Sequence, residues 1–269
     1  MSDPLAHVER WARPLRAAAS GAKARWLLLS RFGFEFLGAA VARERPEEIA
    51  GLGTLRRAQL GNVALLALDR PADQGGEAGD AAGDALAVFA AGRAGLRGVI
   101  QCIAAASLEE RVAAPTFALV RDWLRWSDED PLRGGPAAQP GARFPDLRGL
   151  SDADETQRVA ARLRARSIPA AVAVARRGPS GATRAELEAM RRLGGELVVE
   201  AGAAERIAAL QQGLRGVTLA LVLDAALQSP PADPGALAAA ADALLPKLAP
   251  LLGEVLALLD EAEQAEGSR

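Results

Sequence analysis

The stretch from Ile168 to Gly202, IPAAVAVARRGPSGATRAELEAMRRLGGELVVEAG, constrains the fold more than any other part of the chain. It reads as strand, glycine-containing loop, helix and strand. Two short apolar runs, 170–175 and 197–199, flank a helical segment, the pattern of strands buried on both faces in a parallel sheet. Thr183 and Glu186 have the spacing of a capping box, in which each side chain satisfies the other's backbone amide. Leu187, Met190 and Leu193 follow at helical spacing, and Gly194-Gly195 ends the helix because glycine takes positive φ cheaply.

The loop between the first strand and the helix lies where open α/β sheets bind ligands. Free amides and the helix dipole favour an anion there, and two adjacent arginines add charge. The candidate anion-binding residues are Arg176, Arg177, Gly178, Ser180, Gly181 and Thr183. From Arg158 to Arg192 there are nine arginines against two acids, Glu186 and Glu188, a formal +7 in a chain of net charge −2. Arginine holds phosphate in a bidentate fork that lysine lacks. Equally, Arg162 and Arg166 read as the solvated face of a helix.

The remaining chain extends the same architecture. The sequence predicts a helix over 4–19 and a strand within 25–37, where Phe32, Phe34 and Phe36 alternate with Gly33 and Glu35. Residues 45–60 are ambiguous. Buried strands are expected at 63–68, 98–106 and 217–223, and helices at 84–93 and 203–212. Residues 71–83 read as a loop. A second capping-box spacing, Ser107 to Glu110, predicts a helix directly after the strand at 98–106, and 116–127 reads as an amphipathic helix. The fold class is therefore α/β, a mostly parallel sheet with flanking helices and an apolar C-terminal helix. Gly-Leu-Arg-Gly-Val occurs at 95–99 and again at 213–217, each time leading a strand, which points to two similar β-α-β-α-β halves. Four segments follow: an N-terminal α/β half (1–126), a Pro/Gly-rich linker or ordered loop (127–150), a C-terminal α/β half (151–228) and a helical tail (229–269). Asp233-Pro234 opens the tail as cap and first turn. Pro246 and Pro250 are expected to kink or break it. Its stretch 251–259 is apolar almost all round, hence buried all round, which predicts a protein partner or a homo-oligomer through this helix.

Composition excludes several classes. The net charge is near zero and no aromatic lies in the arginine-rich stretch, which argues against nucleic acid as a partner. One cysteine, Cys102, rules out an internal disulfide and multi-cysteine metal sites; its apolar run makes it a buried, inert thiol. No apolar span reaches transmembrane length and no signal-peptide pattern opens the chain, so the expected location is cytoplasmic. There is no Walker A sequence, no GxGxxG after a strand and no GxSxG elbow. His7, the single histidine, has no nucleophile near it in sequence. No cofactor and no metal are implied.

Asn62-Val-Ala-Leu-Leu-Ala-Leu-Asp-Arg-Pro71, a helix, and Leu96-Arg-Gly-Val-Ile100 together resemble the opening of the crotonase (enoyl-CoA hydratase) superfamily. Ile168 to Pro179 is similar to that family's later strand and Gly-Pro turn. The resemblance implies a crotonase fold and an acyl-CoA substrate, with half of an oxyanion hole mapping to Gly178 and Gly181. Where the family has a glycine-bearing turn this chain has Ala-Ala-Ser-Leu-Glu-Glu, and no glutamate matches the hydratase acid/base pair.

Two functions remain open. One is a non-catalytic accessory or regulatory protein acting through protein contacts, with an anionic ligand in the arginine-rich loop. The other is a crotonase-like or other α/β enzyme acting on an acyl-CoA, a nucleotide or another phosphate-bearing small molecule.

Overall fold

The computed structural model describes residues 4–41, 45–69, 81–127, 130–133, 141–142, 144–150, 154–178, 181–227 and 232–267. Its strands are β1 Trp26–Ser30, β2 Glu47–Ile49, β3 Gly53–Leu60, β4 Val63–Asp69, β5 Gly98–Ser107, β6 Thr116–Arg125, β7 Ala170–Ala175, β8 Leu197–Val199 and β9 Thr218–Ala225. Its helices are α1 Pro4–Ala22, α2 Ala81–Arg93, α3 Asp154–Arg164, α4 Arg184–Arg192, α5 Ala203–Gln211 and α6 Pro234–Gly267.

The strands form a single sheet in the order β2-β3-β4-β1-β5-β8-β7-β6-β9, and β9 returns to pair with β5. The second part of the sheet is thus a closed five-stranded barrel, β5-β8-β7-β6-β9, with β1 to β4 extending from β5. The α/β class and the flanking helices are as the sequence predicts. The sheet is mixed, however, and not mostly parallel. β2–β3, β3–β4, β5–β8 and β6–β9 are antiparallel, while β1–β4, β1–β5, β5–β9, β6–β7 and β7–β8 are parallel. Part of the difference is the ambiguous region 45–60, which supplies β2 and β3; β3 joins β4 by a hairpin turned at Gly61, whose φ is +59°.

The barrel interior explains the alanine content of its strands. Ala118 and Val120, Ala171 and Ala173, and Ala220 and Val222 alternate inward with Ile103, Leu197 and Val199, because a barrel of so few strands leaves room only for small and branched side chains. Phe117, Leu119, Leu219 and Leu221 alternate outward, into the core shared with α3 and α6. α1, α2 and α5 cover the opposite face of the sheet, where Leu15, Leu66, Val88 and Ala208 are fully buried.

Three local expectations are overturned. Residues 116–127 are not a helix: Phe117, Ala118, Leu119 and Val120 are all buried, since β6 is covered on both faces, and a short run apolar on both faces cannot be told from a helix by periodicity. No α-helix starts at Ser107. Its hydroxyl accepts from the Glu109 amide and donates to the Glu109 carbonyl, which closes a turn and leaves one short 3₁₀ segment, Glu110–Val112. Finally, the alternating phenylalanines lie beyond β1, in a loop and a 3₁₀ segment, Glu35–Ala40; Phe36 is buried in the core while Phe32 and Phe34 pack beside it.

α6 runs unbroken through Pro246 and Pro250, both of which face solvent. It begins at Pro234 behind Asp233, whose carboxylate accepts from the Ala236 amide. Leu244, Leu248, Leu251, Leu252, Val255, Leu256 and Leu259 are buried against the chain's own sheet. Ion pairs fasten the helix at two points, from Glu254 to Arg162 of α3 and Arg166 in the turn after it, and from Asp260 to Arg25. The two Gly-Leu-Arg-Gly-Val copies lie side by side at the starts of β5 and β9, where Val99 N donates to Arg215 O at 2.8 Å. A Cβ on Gly216 would sit 1.7 Å from Val99 O, so only glycine permits that approach.

Candidate active site

The site follows from the strand directions. β1 pairs with β5 as far as Gln101, running parallel to it. β8 pairs with β5 at Ala106 and Ser107, running the opposite way. The C-terminal ends of β1 and β8 therefore meet beside the middle of β5, and the chain leaving β8 passes Ile103 at Gly202, where a Cβ would stand 3.2 Å from that side chain. Strands that diverge from a common neighbour leave a crevice at their carboxyl ends, the place where α/β proteins bind ligands.

An open pocket occupies this crevice, its space about 450 Å³ when the adjoining solvent is included. Arg125 and Ser127 line it from the end of β6, Ala175, Arg176 and Arg177 from the end of β7, and Glu200 to Glu205 from the end of β8 and the first turn of α5. Asp84, in the first turn of α2, and Pro131 complete the lining used here.

Its charged side chains form two groups. Arg176 pairs with Glu200 at 2.7 Å, with the arginine 12% and the glutamate 55% exposed. The second group is a ladder across four elements. Arg177 donates to Asp84 at 2.7 Å, Arg31 approaches Asp84 at 3.4 Å and Glu205 at 3.7 Å, and Glu205 accepts from the Gly202 amide at 3.0 Å. Glu205 is the most enclosed of these carboxylates, its side chain 6% exposed. Gly202, at φ +103°, is the N-cap of α5 and brings no side chain of its own, so the glutamate three residues on satisfies the free amide.

The loop after β1 approaches the same crevice. Its three successive amides are all engaged. Phe32 N donates to Ser30 Oγ, Gly33 N to Asp69 Oδ1 and Phe34 N to Glu35 Oε2, at 3.1, 3.1 and 3.0 Å. Burial pushes the Asp69 carboxyl up from its ordinary value, against the lowering effect of the Gly33 amide. On the far side of α5, Arg206 is buried with Nη1 unpaired, and burial lowers its guanidinium to about 10.

Of the residues the sequence singled out, Arg176 and Arg177 line the pocket. Gly178 lies against Glu200, whose carboxylate would be 2.7 Å from an added Cβ. Gly181 faces open space, and Ser180 lies outside the described residues. Thr183 forms the predicted capping box with Glu186: its amide and hydroxyl both donate to the carboxylate, and its oxygen accepts from Glu186 N. Sequence reasoning missed Arg31, Asp84, Glu200 and Glu205. The one available signal was Gly202 to Glu205, a capping-box spacing hidden because the cap is glycine. Cys102 is buried, which holds its thiol protonated. No group of three or more metal-ligating side chains occurs among the described residues, and no helix among them is long and apolar enough to cross a membrane.

No family model and no curated protein matches the chain by sequence. Solved structures do match its fold. A Schistosoma purine nucleoside phosphorylase in complex with hypoxanthine superimposes with a TM-score of 0.79 at 16% identity, over 93% of this chain and 96% of that one. The fold is that of the purine nucleoside phosphorylases. Isoform 2 of the Schistosoma mansoni enzyme, in complex with cytosine and ribose-1-phosphate, gives 0.79 at 15% identity over 92% and 94% of the two chains. The Schistosoma mansoni enzyme in complex with adenosine gives 0.79 at 17% over 93% and 96%.

These likenesses correct two expectations. The crotonase resemblance fails: it rested on short strand-and-turn pieces that are common in α/β proteins, whereas the match to the phosphorylase fold spans nearly the whole chain. The non-catalytic accessory reading also gives way, since it rested on an α/β fold signal with no catalytic set beside it. The solved structures that share the fold include purine nucleoside phosphorylases holding a nucleoside, bases and a sugar phosphate, and the crevice carries ionisable side chains from four parts of the chain. Of the two functions, the enzyme is the better supported.

Proposed function

We propose that this chain is an enzyme that cleaves the N-glycosidic bond of a phosphate-bearing nucleoside in the crevice between β1 and β8. The observation that carries the reading is the convergence of Arg176, Arg177, Asp84, Glu200 and Glu205 on one pocket, with Arg31 paired to Asp84 and Glu205, at the switch point of a nucleoside-phosphorylase fold. Arg176 and Arg177 hold the phosphate. The partner of Arg176, Glu200, is half-exposed, and such a pair contributes at most about 1 kcal/mol, so a dianion can replace the carboxylate and gain bidentate hydrogen bonds. The anion sits on these arginines and not on Thr183, which is committed to Glu186. Asp84 and Glu205 present carboxylate oxygens to the sugar hydroxyls, whose neutral donors they can accept without a change in charge. The two sets hold the glycosidic carbon between them, a positioning contribution to the rate.

Incubation of the protein with purine nucleosides and their 5′-monophosphates, followed by chromatography for free base, tests this reading. Base release is expected, with the monophosphates preferred. Replacing Arg176 and Arg177 with alanine should lower kcat/KM for a monophosphate about a hundredfold, the loss of ~3 kcal/mol of charge-assisted hydrogen bonding, and leave the parent nucleoside nearly unaffected. Failure to release base from any of these compounds would sink the proposal. Cytoplasmic residence and self-association through α6 belong to the same proposal. For the latter, sedimentation should show a concentration-dependent mass that substitution of exposed α6 residues abolishes.

A further inference from the structure

We infer that the group accepting the sugar is water and not inorganic phosphate, an inference that rests on the reading just given. Transfer to phosphate needs a second anion position beside the substrate. Successive backbone amides make such a cradle, and the loop after β1 is the place for one, since Arg31 stands there too. In this chain it is already filled. The amides of Phe32, Gly33 and Phe34 are taken by Ser30 Oγ, Asp69 and Glu35. The Glu35 carboxylate folds so closely over the turn that a Cβ on Gly33 would meet it at 2.3 Å. Arg31 itself lies between Asp84 and Glu205. A phosphate entering here would face two carboxylates on the amides and two on the guanidinium, a like-charge arrangement that disfavours a dianion, most of all beside the enclosed Glu205. Water displaces none of these groups and adds no charge.

The step balances without another reactant. The bond from the anomeric carbon to the base nitrogen breaks with its electron pair on the base, and a bond forms from the water oxygen to the anomeric carbon. The attacking water loses a proton to Glu205, the most enclosed pocket carboxylate. The departing base takes up one proton, so that water adds across the bond and the products are free base and a sugar 5-phosphate.

The test uses the full chain with purine nucleoside 5′-monophosphates in oxygen-18 water, with and without inorganic phosphate, and reads the sugar by mass spectrometry. Base release independent of phosphate, with solvent oxygen at the anomeric position, is expected. Release that requires phosphate and yields a sugar 1-phosphate without solvent oxygen would overturn the inference and leave the glycosidic reading standing. No release in any arm removes both.

Discussion

The starts of α4 and α5 are built from the same device and differ in what surrounds it. In both, a glutamate three residues into the helix accepts from the amide of the N-cap residue, Glu186 from Thr183 at 2.7 Å and Glu205 from Gly202 at 3.0 Å. The α4 box is exposed and self-contained, with the threonine hydroxyl and the glutamate answering each other. The α5 box is buried. Its cap is a glycine in the left-handed region, and its glutamate also faces Arg31 from the loop after β1. A helix start becomes a functional place when strand topology brings other elements to it. The local motif alone does not make one.

The widest separation between the two should come from the caps' neighbours. At Gly202 an added Cβ would lie 2.7 Å from Trp123 and 3.2 Å from Ile103, at φ +103°. Gly202→Ala should therefore cost about 3 kcal/mol, positive φ and overpacking together, measured by urea denaturation. At the other end of the α4 helix Gly194, at φ +91°, has nothing within 4 Å of its added Cβ, so Gly194→Ala should cost only the conformational part, about 1 kcal/mol. Equal losses would mean that the packing at Trp123 yields.

The next effect concerns the glutamates. Glu205→Ala leaves the Gly202 amide and one side of Arg31 without their carboxylate, and should lose about 2–3 kcal/mol. Thr183→Ala removes an exposed cap and should lose about 1 kcal/mol. Circular dichroism in denaturant would check both. If Thr183→Ala proves the more damaging, the buried ladder is not supporting α5.

This contrast also explains how much was legible beforehand. The β7-α4-β8 unit was readable because its strands are short and apolar and its cap is a threonine, so each signal is local. β6 was misread because its four consecutive buried residues owe their burial to two other strands, β7 and β9, and to α3. The crevice was half readable. Arg176 and Arg177 announce themselves in a strand-to-helix loop, but Arg31, Asp84 and Glu205 come from positions as far apart as the loop after β1, α2 and α5, and each looks ordinary until the barrel closes. The crotonase-like pieces misled for the same reason: a strand ending in a polar turn is shared by many α/β folds, whereas the order of strands is not visible in any one piece.

The smallest effect is the pH response of the exposed box. Hydrogen bonds from the Thr183 amide and hydroxyl lower the Glu186 carboxyl below its ordinary value of 4.5. A carboxylate held lower in the folded than in the unfolded chain contributes stability that is present above 4.5 and lost as pH falls through the depressed folded value. Because Glu186 is fully exposed, that contribution is slight. It should appear as a small excess of acid destabilisation in the native protein over Glu186→Gln, read as the difference between their melting temperatures at neutral pH and well below 4.5. Glu254 is also held low by Arg166 and Arg162, against burial, which raises it, and it titrates in the same window. Only the difference between the two proteins isolates Glu186, since Glu254 is common to both. If the two curves run parallel through the acid range, the α4 box is an ornament of the helix start, and the threonine alone caps it.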